Sequence, residues 1–279
     1  MSLGGVLGGS LFYTLGYSGV FILFAVITLL TGLLLNVFKE AQQLFERRED
    51  SDGLTLRLLL TARRPFLNLF CNGVCDFFLL TLEPAFANKL KADFNFSHSQ
   101  IGFFFFLFFI GGGLTMGAGV LLPESWDKRK FICPSMLLMA LFSLLAGPSS
   151  LFYLPNTPLV VGVGILLTGG ARGVCMALCL SDAITGGVRS FPLDSVKVSD
   201  LVSSFYNFLF GVNTFIFPII GSALVEYFGF RAAIDLVSGI LLINSTLYIT
   251  SCMYDWKREK EEMIRHEASG MEDDERAFL

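Results

Sequence analysis

Asn72, Asp76 and Glu83 share one apolar stretch, Phe66 to Phe86. On a helix they fall at relative angles of about 0°, 40° and 20°, so a single polar stripe carries all three. A carboxylate on such a stripe can bind a cation or exchange a proton, and it can equally serve an interhelical hydrogen bond. Arg172 lies inside another apolar stretch, within Thr168-Gly-Gly-Ala-Arg-Gly173. A guanidinium in apolar surroundings needs an acid or carbonyl groups beside it. Asp76 or Glu83 would supply the acid, and capture of an anionic substrate is the other use. Further on, Ser203, Asn207, Gly211, Thr214 and Pro218 fall within a stripe of about 80°. Asn207 and Thr214 there suit substrate contacts or packing hydrogen bonds. Asp182 and Asp235 stand near the ends of their stretches, where gate or interface roles fit.

Other chemistries find no support. The six cysteines all lie in or beside apolar runs, none forms a CxxC pair, and His98 and His266 are the only histidines. That leaves no zinc pattern and no disulfide framework. No HExxH, GxSxG or paired-histidine arrangement occurs. An enzyme is therefore not expected, nor a metal, cofactor or nucleic-acid partner.

The elements that must position these residues follow from composition. The chain is 53% hydrophobic and 16% charged, with 30 Phe beside 20 Lys+Arg, and its mean hydropathy is +0.65. A soluble domain carries roughly a quarter of its residues charged. Here the solvent is partly lipid, and the bilayer is the first partner. A spanning helix needs about 20 apolar residues. Val20 to Val37, Phe66 to Phe86, Ile101 to Leu122, Phe131 to Tyr153, Leu159 to Leu180, Leu201 to Val225 and Ala232 to Tyr254 qualify as spans, preceded by a stub, Ser2 to Leu15. If the chain alternates sides, sixteen of the basic residues fall on one side and three on the other, with Arg172 inside a span. This bias places the Lys39–Arg64 loop and the tail in the cytoplasm. The expected organisation is 1–38 as the end of an N-terminal half, 39–64 as a linker with an amphipathic second half, 65–254 as a six-helix bundle, and 255–279 as a charged, solvated tail.

The segment from Gly5 to Tyr17 resembles that from Pro218 to Phe230, with Gly8 facing Gly221 and Gly16 facing Gly229 at the same offset. Six spans separate the copies, the interval expected of a parallel duplication. Gly4-xxx-Gly8, Gly5-xxx-Gly9, Gly113-xxx-Gly117 and Gly169-xxx-Gly173 have the spacing that lets helix backbones approach closely.

These residues carry a resemblance. Gly4-Gly5-Val6-Leu7-Gly8-Gly9 with Gly16-Tyr17 resembles the fifth-helix antiporter motif of proton-coupled major-facilitator exporters, Gly5 standing where proline is usual and Pro218 keeping it in the second copy. Leu82-Glu83-Pro84 resembles the seventh helix of vesicular amine transporters. Asp127-Lys128 resembles the loop motif between the eighth and ninth helices. Ser203 to Tyr206, then Pro218, Gly221, Gly229 and Phe230, resembles the eleventh helix of the vesicular polyamine branch (solute carrier family 18). Where monoamine transporters carry an acid in that helix, this chain has Asn207 and Asn213.

The resemblance implies an all-α major-facilitator bundle from the fifth helix onward, one complete six-helix half plus about one and a half helices of the other. It implies alternating access and proton-coupled antiport of organic cations, amines or polyamines, in a vesicular, endomembrane or plasma membrane. Gly4, Gly8, Gly9, Pro218 and Gly221 would form the helix-packing motif. The competing expectation is an inactive or non-transporting fragment that needs the remaining helices or a partner.

Overall fold

Each long apolar run becomes a helix because backbone surrounded by lipid must satisfy its N–H and C=O groups within its own segment. The computed structural model describes residues 2–37, 61–123, 125–191 and 195–277. Its elements are α1 (Ser2–Val37), α2 (Arg63–Phe94), α3 (His98–Val120), α4 (Arg129–Ala146), α5 (Pro158–Ser190), α6 (Ser195–Phe228) and α7 (Phe230–Ala277). No strand occurs among the described residues. Helices α3 to α7 are each long and apolar enough to cross a membrane, and the bent α2 makes a sixth. The six coincide with the spans expected of a complete half, in an all-α bundle. In α1 the apolar helix after the break runs Ser18–Leu34. The linker expected at 39–64 lies almost entirely outside the described residues.

Local signals set the boundaries. Ser97 and Gln100 form a reciprocal capping box at the start of α3, and Thr157 caps α5 with Pro158 in its first turn. Gly16 (φ 68°) breaks α1, and Gly229 (φ 78°) separates α6 from α7. Both glycines adopt the left-handed backbone that side chains disfavour, and they are the pair matched by the internal repeat. Within α2 the axis bends by 42° between Thr81 and Ala85. Proline has no N–H to give to the helical ladder, and Pro84 falls within this bend.

The centre of the bundle is α5, which packs against α2, α3, α4 and α6. Glycines make this possible. A Cβ on Gly169 would collide with the Phe108 carbonyl, and one on Gly173 with the Gly112 carbonyl. On the α4 side, a Cβ on Gly164 would meet the Ala146 backbone. The expected Gly169/Gly173 pair is thus a true close-approach face. On α3, Gly111 and Gly112 meet α5, whereas Gly113 and Gly117, the pair with the packing spacing, have nothing within 4 Å of a would-be Cβ. A one-residue shift turns a helix by ~100°, so a neighbouring glycine with the same spacing faces elsewhere. Thr115 Oγ1 donates across this seam to the Gly170 carbonyl at 2.7 Å. Gly221 on α6 serves α2, its would-be Cβ lying 2.7 Å from Thr81 Cα.

The six cysteines are free and buried, so a thiol-reactive dye reports unfolding in detergent. Gly169→Ala should lower the melting temperature, with overpacking costing about 1–3 kcal/mol. Gly113→Ala should leave it unchanged or raise it, since helical glycine is about 0.5–1 kcal/mol worse than alanine. Equal loss in both variants would contradict the assigned faces.

Candidate functional site

An arginine in the middle of a bundle has no water to hydrate it, so its partners identify what the helices are arranged around. Arg172 on α5 is 3% exposed and Asp76 on α2 is 6% exposed. Arg172 donates from Nε and Nη2 to Asp76 Oδ1 at 3.0 and 2.5 Å. Its Nη1 donates to Asn72 Oδ1 at 2.8 Å, one turn earlier on α2. The polar stripe therefore delivers Asn72 and Asp76 together to one guanidinium.

Glu83 does not join them. It is exposed and sits at the α2 bend, so the straight-helix angle that put it on the stripe no longer holds. Asn207 and Thr214 are exposed on α6, and Thr214 Oγ1 donates back to the Phe210 carbonyl of its own helix. Pro218 and Gly221 lie on the same helix. Gly4, Gly8 and Gly9 lie in the first part of α1.

Two further amides hold α2 in place. Asn213 donates to the Gly73 carbonyl at 3.1 Å, and Asn244, on α7, donates to the Cys71 carbonyl at 2.9 Å. Gly73 is required for the first contact, because a Cβ there would stand 2.8 Å from Asn213 Nδ2. Asn244 opens an Asn-Ser-Thr sequence inside an apolar span, and no motif marks it as a packing residue. Its signal is a lone amide in an apolar span, which must find a partner within the bundle.

A second polar cluster closes one end of the bundle. Asp182, 2% exposed, accepts from Arg64 Nη2 and Asn68 Nδ2, both at 2.7 Å. Glu259 binds three arginines from three helices: Arg129 at 2.7 Å, Arg64 at 3.3 Å and Arg189 at 3.4 Å. The segment after Trp256 is thus tied to the bundle rather than merely solvated, and α7 continues through it without a break. Glu259 lies among so many charges (Lys257 to Glu262) that no spacing singles it out. A cavity of about 670 Å³ opens at this end, lined by Arg63, Arg64, Arg189 and Arg258 with Asp255, Glu259 and Glu262.

Asp127, before α4, accepts from Arg129 and from Trp256 Nε1 at 2.6 Å. Partial burial pushes its carboxyl pKa up, but the hydrogen bonds from Arg129 and Trp256 and the Arg129 charge outweigh it and hold the pKa below the ordinary value. At the other end of the bundle Asp235 accepts from the Ser150 backbone and hydroxyl at 3.1 and 2.7 Å, holding a loop. Among the described residues no cluster of His, Cys, Asp and Glu could hold a metal.

A family model described as Major Facilitator Superfamily matches residues 1–184 and again 65–270. Comparison with curated proteins returned no match.

Asp76→Asn leaves Arg172 uncompensated and should cost about 3–5 kcal/mol, seen as a large drop in melting temperature. The double variant Asp76→Asn/Arg172→Gln should recover most of that loss. A double variant no more stable than the single one would show that the pair is not what links the two positions. A carboxylate with a lowered folded-state pKa contributes stability at neutral pH and loses it as pH falls through that value. In Trp126→Phe protein, Trp256 emission should therefore change with a midpoint below ~3.9, the ordinary aspartate value. Asp127→Asn should abolish that transition, and its persistence would assign it to another group.

Proposed function

Because this chain belongs to the major facilitator superfamily, whose members carry solutes across membranes, we propose that it supports proton-coupled antiport of an organic cation, an amine or polyamine, by alternating access. The observation that carries this reading is Asp76: a carboxylate in the heart of the helix bundle, compensated by Arg172 and Asn72. An anion is costly there and is retained for what it binds. In the empty carrier a charge-neutral pair can change its exposure at lower cost than an isolated carboxylate. A substrate ammonium or a proton then competes for the same oxygens. The resemblance of Leu82-Glu83-Pro84 and of Ser203 to Phe230 to vesicular amine carriers adds the substrate class. Asn207, Thr214 and Glu83, all exposed, are the groups proposed to meet substrate from the open face. Asp182 and Asp235 are proposed to brace the two ends. On the same reading the Arg64 end of the bundle, with the linker and tail, is cytoplasmic.

The same open face favours a second reading. The most apolar stretch of α6 is only 6% buried, with Phe208, Phe215 and Tyr227 standing out from it. A face that mixes such groups with Asn207 and Thr214 suits packing against further helices across an aqueous cavity. The chain would then transport only in their company.

Acid-loaded vesicles carrying the protein should accumulate a labelled polyamine until a protonophore collapses the gradient. The folded Asp76→Asn/Arg172→Gln variant should accumulate none, and unchanged uptake would remove Asp76 from the mechanism. The 279-residue chain expressed alone should be inactive in this assay on the second reading and active on the first.

A further inference from the structure

The pairing of Arg172 with Asp76 is lopsided. A guanidinium and a carboxylate joined for strength use two parallel hydrogen bonds, one to each oxygen. Here Nε and Nη2 both converge on Oδ1, and Oδ2 accepts no hydrogen bond from any described residue. The third arm of the guanidinium, Nη1, is held by Asn72 Oδ1. Asn72 is 1% exposed and leaves its own Nδ2 buried without a partner. Its amide is thus oriented toward Arg172 at the expense of its own donor. The other titratable groups facing the guanidinium are Cys75 on α2, Cys175 on α5 and Tyr206 on α6. None is a carboxylate, so Asp76 is its sole acidic partner among the described residues.

Taking the amine-transport reading as its premise, we propose that Arg172 is a built-in competitor for Asp76, displaced by the substrate ammonium, and that Asn72 is the positioning residue that keeps hold of Arg172 while it is displaced. The ammonium enters on the unused Oδ2 and takes over Asp76. Arg172 yields Oδ1 but stays on Asn72, so its guanidinium keeps a hydrogen-bond acceptor beside the carboxylate it now shares with the ammonium. The substrate is therefore a cation that can outbid an arginine for one carboxylate, a primary or secondary ammonium with several N–H donors. A quaternary ammonium, lacking N–H groups, is rejected.

The experiment measures polyamine uptake by protein-bearing vesicles carrying an imposed pH gradient, with opposite changes at Asn72. Asn72→Leu removes the parking acceptor, so Arg172 clings to Asp76 and KM should rise about tenfold, the scale of one hydrogen bond to a charged group. Asn72→Asp holds Arg172 more strongly and should lower KM. A purely structural amide would lose stability in both variants without opposed KM shifts. Tetraethylammonium should not compete with uptake by the unaltered protein. KM moving in the same direction in both variants, or not at all, would overturn the proposal while leaving amine transport standing. Vesicles of the unaltered protein that accumulate no amine would overturn the first reading of its function, and this inference with it.

Discussion

A charge placed where water cannot follow must be answered by the protein itself, and the bundle is organised around one such charge. Arg172 on α5 is answered by Asp76 and Asn72 on α2, which fixes how these two helices meet. Two further contacts of α2 flank that meeting. Amides from α6 and α7 seize the carbonyls of Gly73 and Cys71, one on either side of Asn72 in sequence. Removing water makes each of these polar contacts count for more, and makes any unanswered group expensive.

The glycines of α5 complete the arrangement from the other direction. Apolar side chains gain little by leaving lipid for another apolar surface, so helices here associate through close packing and hydrogen bonds. Gly164, Gly169 and Gly173 let α4 and α3 come into backbone contact with α5. The result is a closely packed central helix that fixes where the backbone of Arg172 sits. Binding by differential contact needs such a fixed reference, because a group free to wander discriminates poorly.

Much of this architecture was legible in the sequence because lipid imposes a simple rule on composition. Charge-free runs became helices, Gly16 and Gly229 became breaks, and Asn72 and Asp76 reach Arg172 together because a four-residue spacing survives on any regular helix. Legibility failed where regularity failed. Glu83 left the stripe because Pro84 bends the axis beneath it, an effect that angle arithmetic on a straight helix omits. Gly113 and Gly117 have the same spacing as the true contact pair on α5, and nothing in the pattern says which face of α3 will turn inward. Asn244 and Glu259 act through partners seventy or more residues away, and such pairings exist only once the helices are assembled.

The final helix carries a mechanical consequence. Helix α7 runs from Phe230 to Ala277 without interruption, a rod of about 70 Å at 1.5 Å per residue. The hydrocarbon layer is only about 30 Å thick. The rod bears Asn244 in its apolar part and Glu259 in its charged part. Because a helix transmits rotation along its length, a twist applied to the protruding shaft would be felt at both positions at once. A grip on the charged end of the shaft would act as a crank, reaching the backbone of α2 through Asn244.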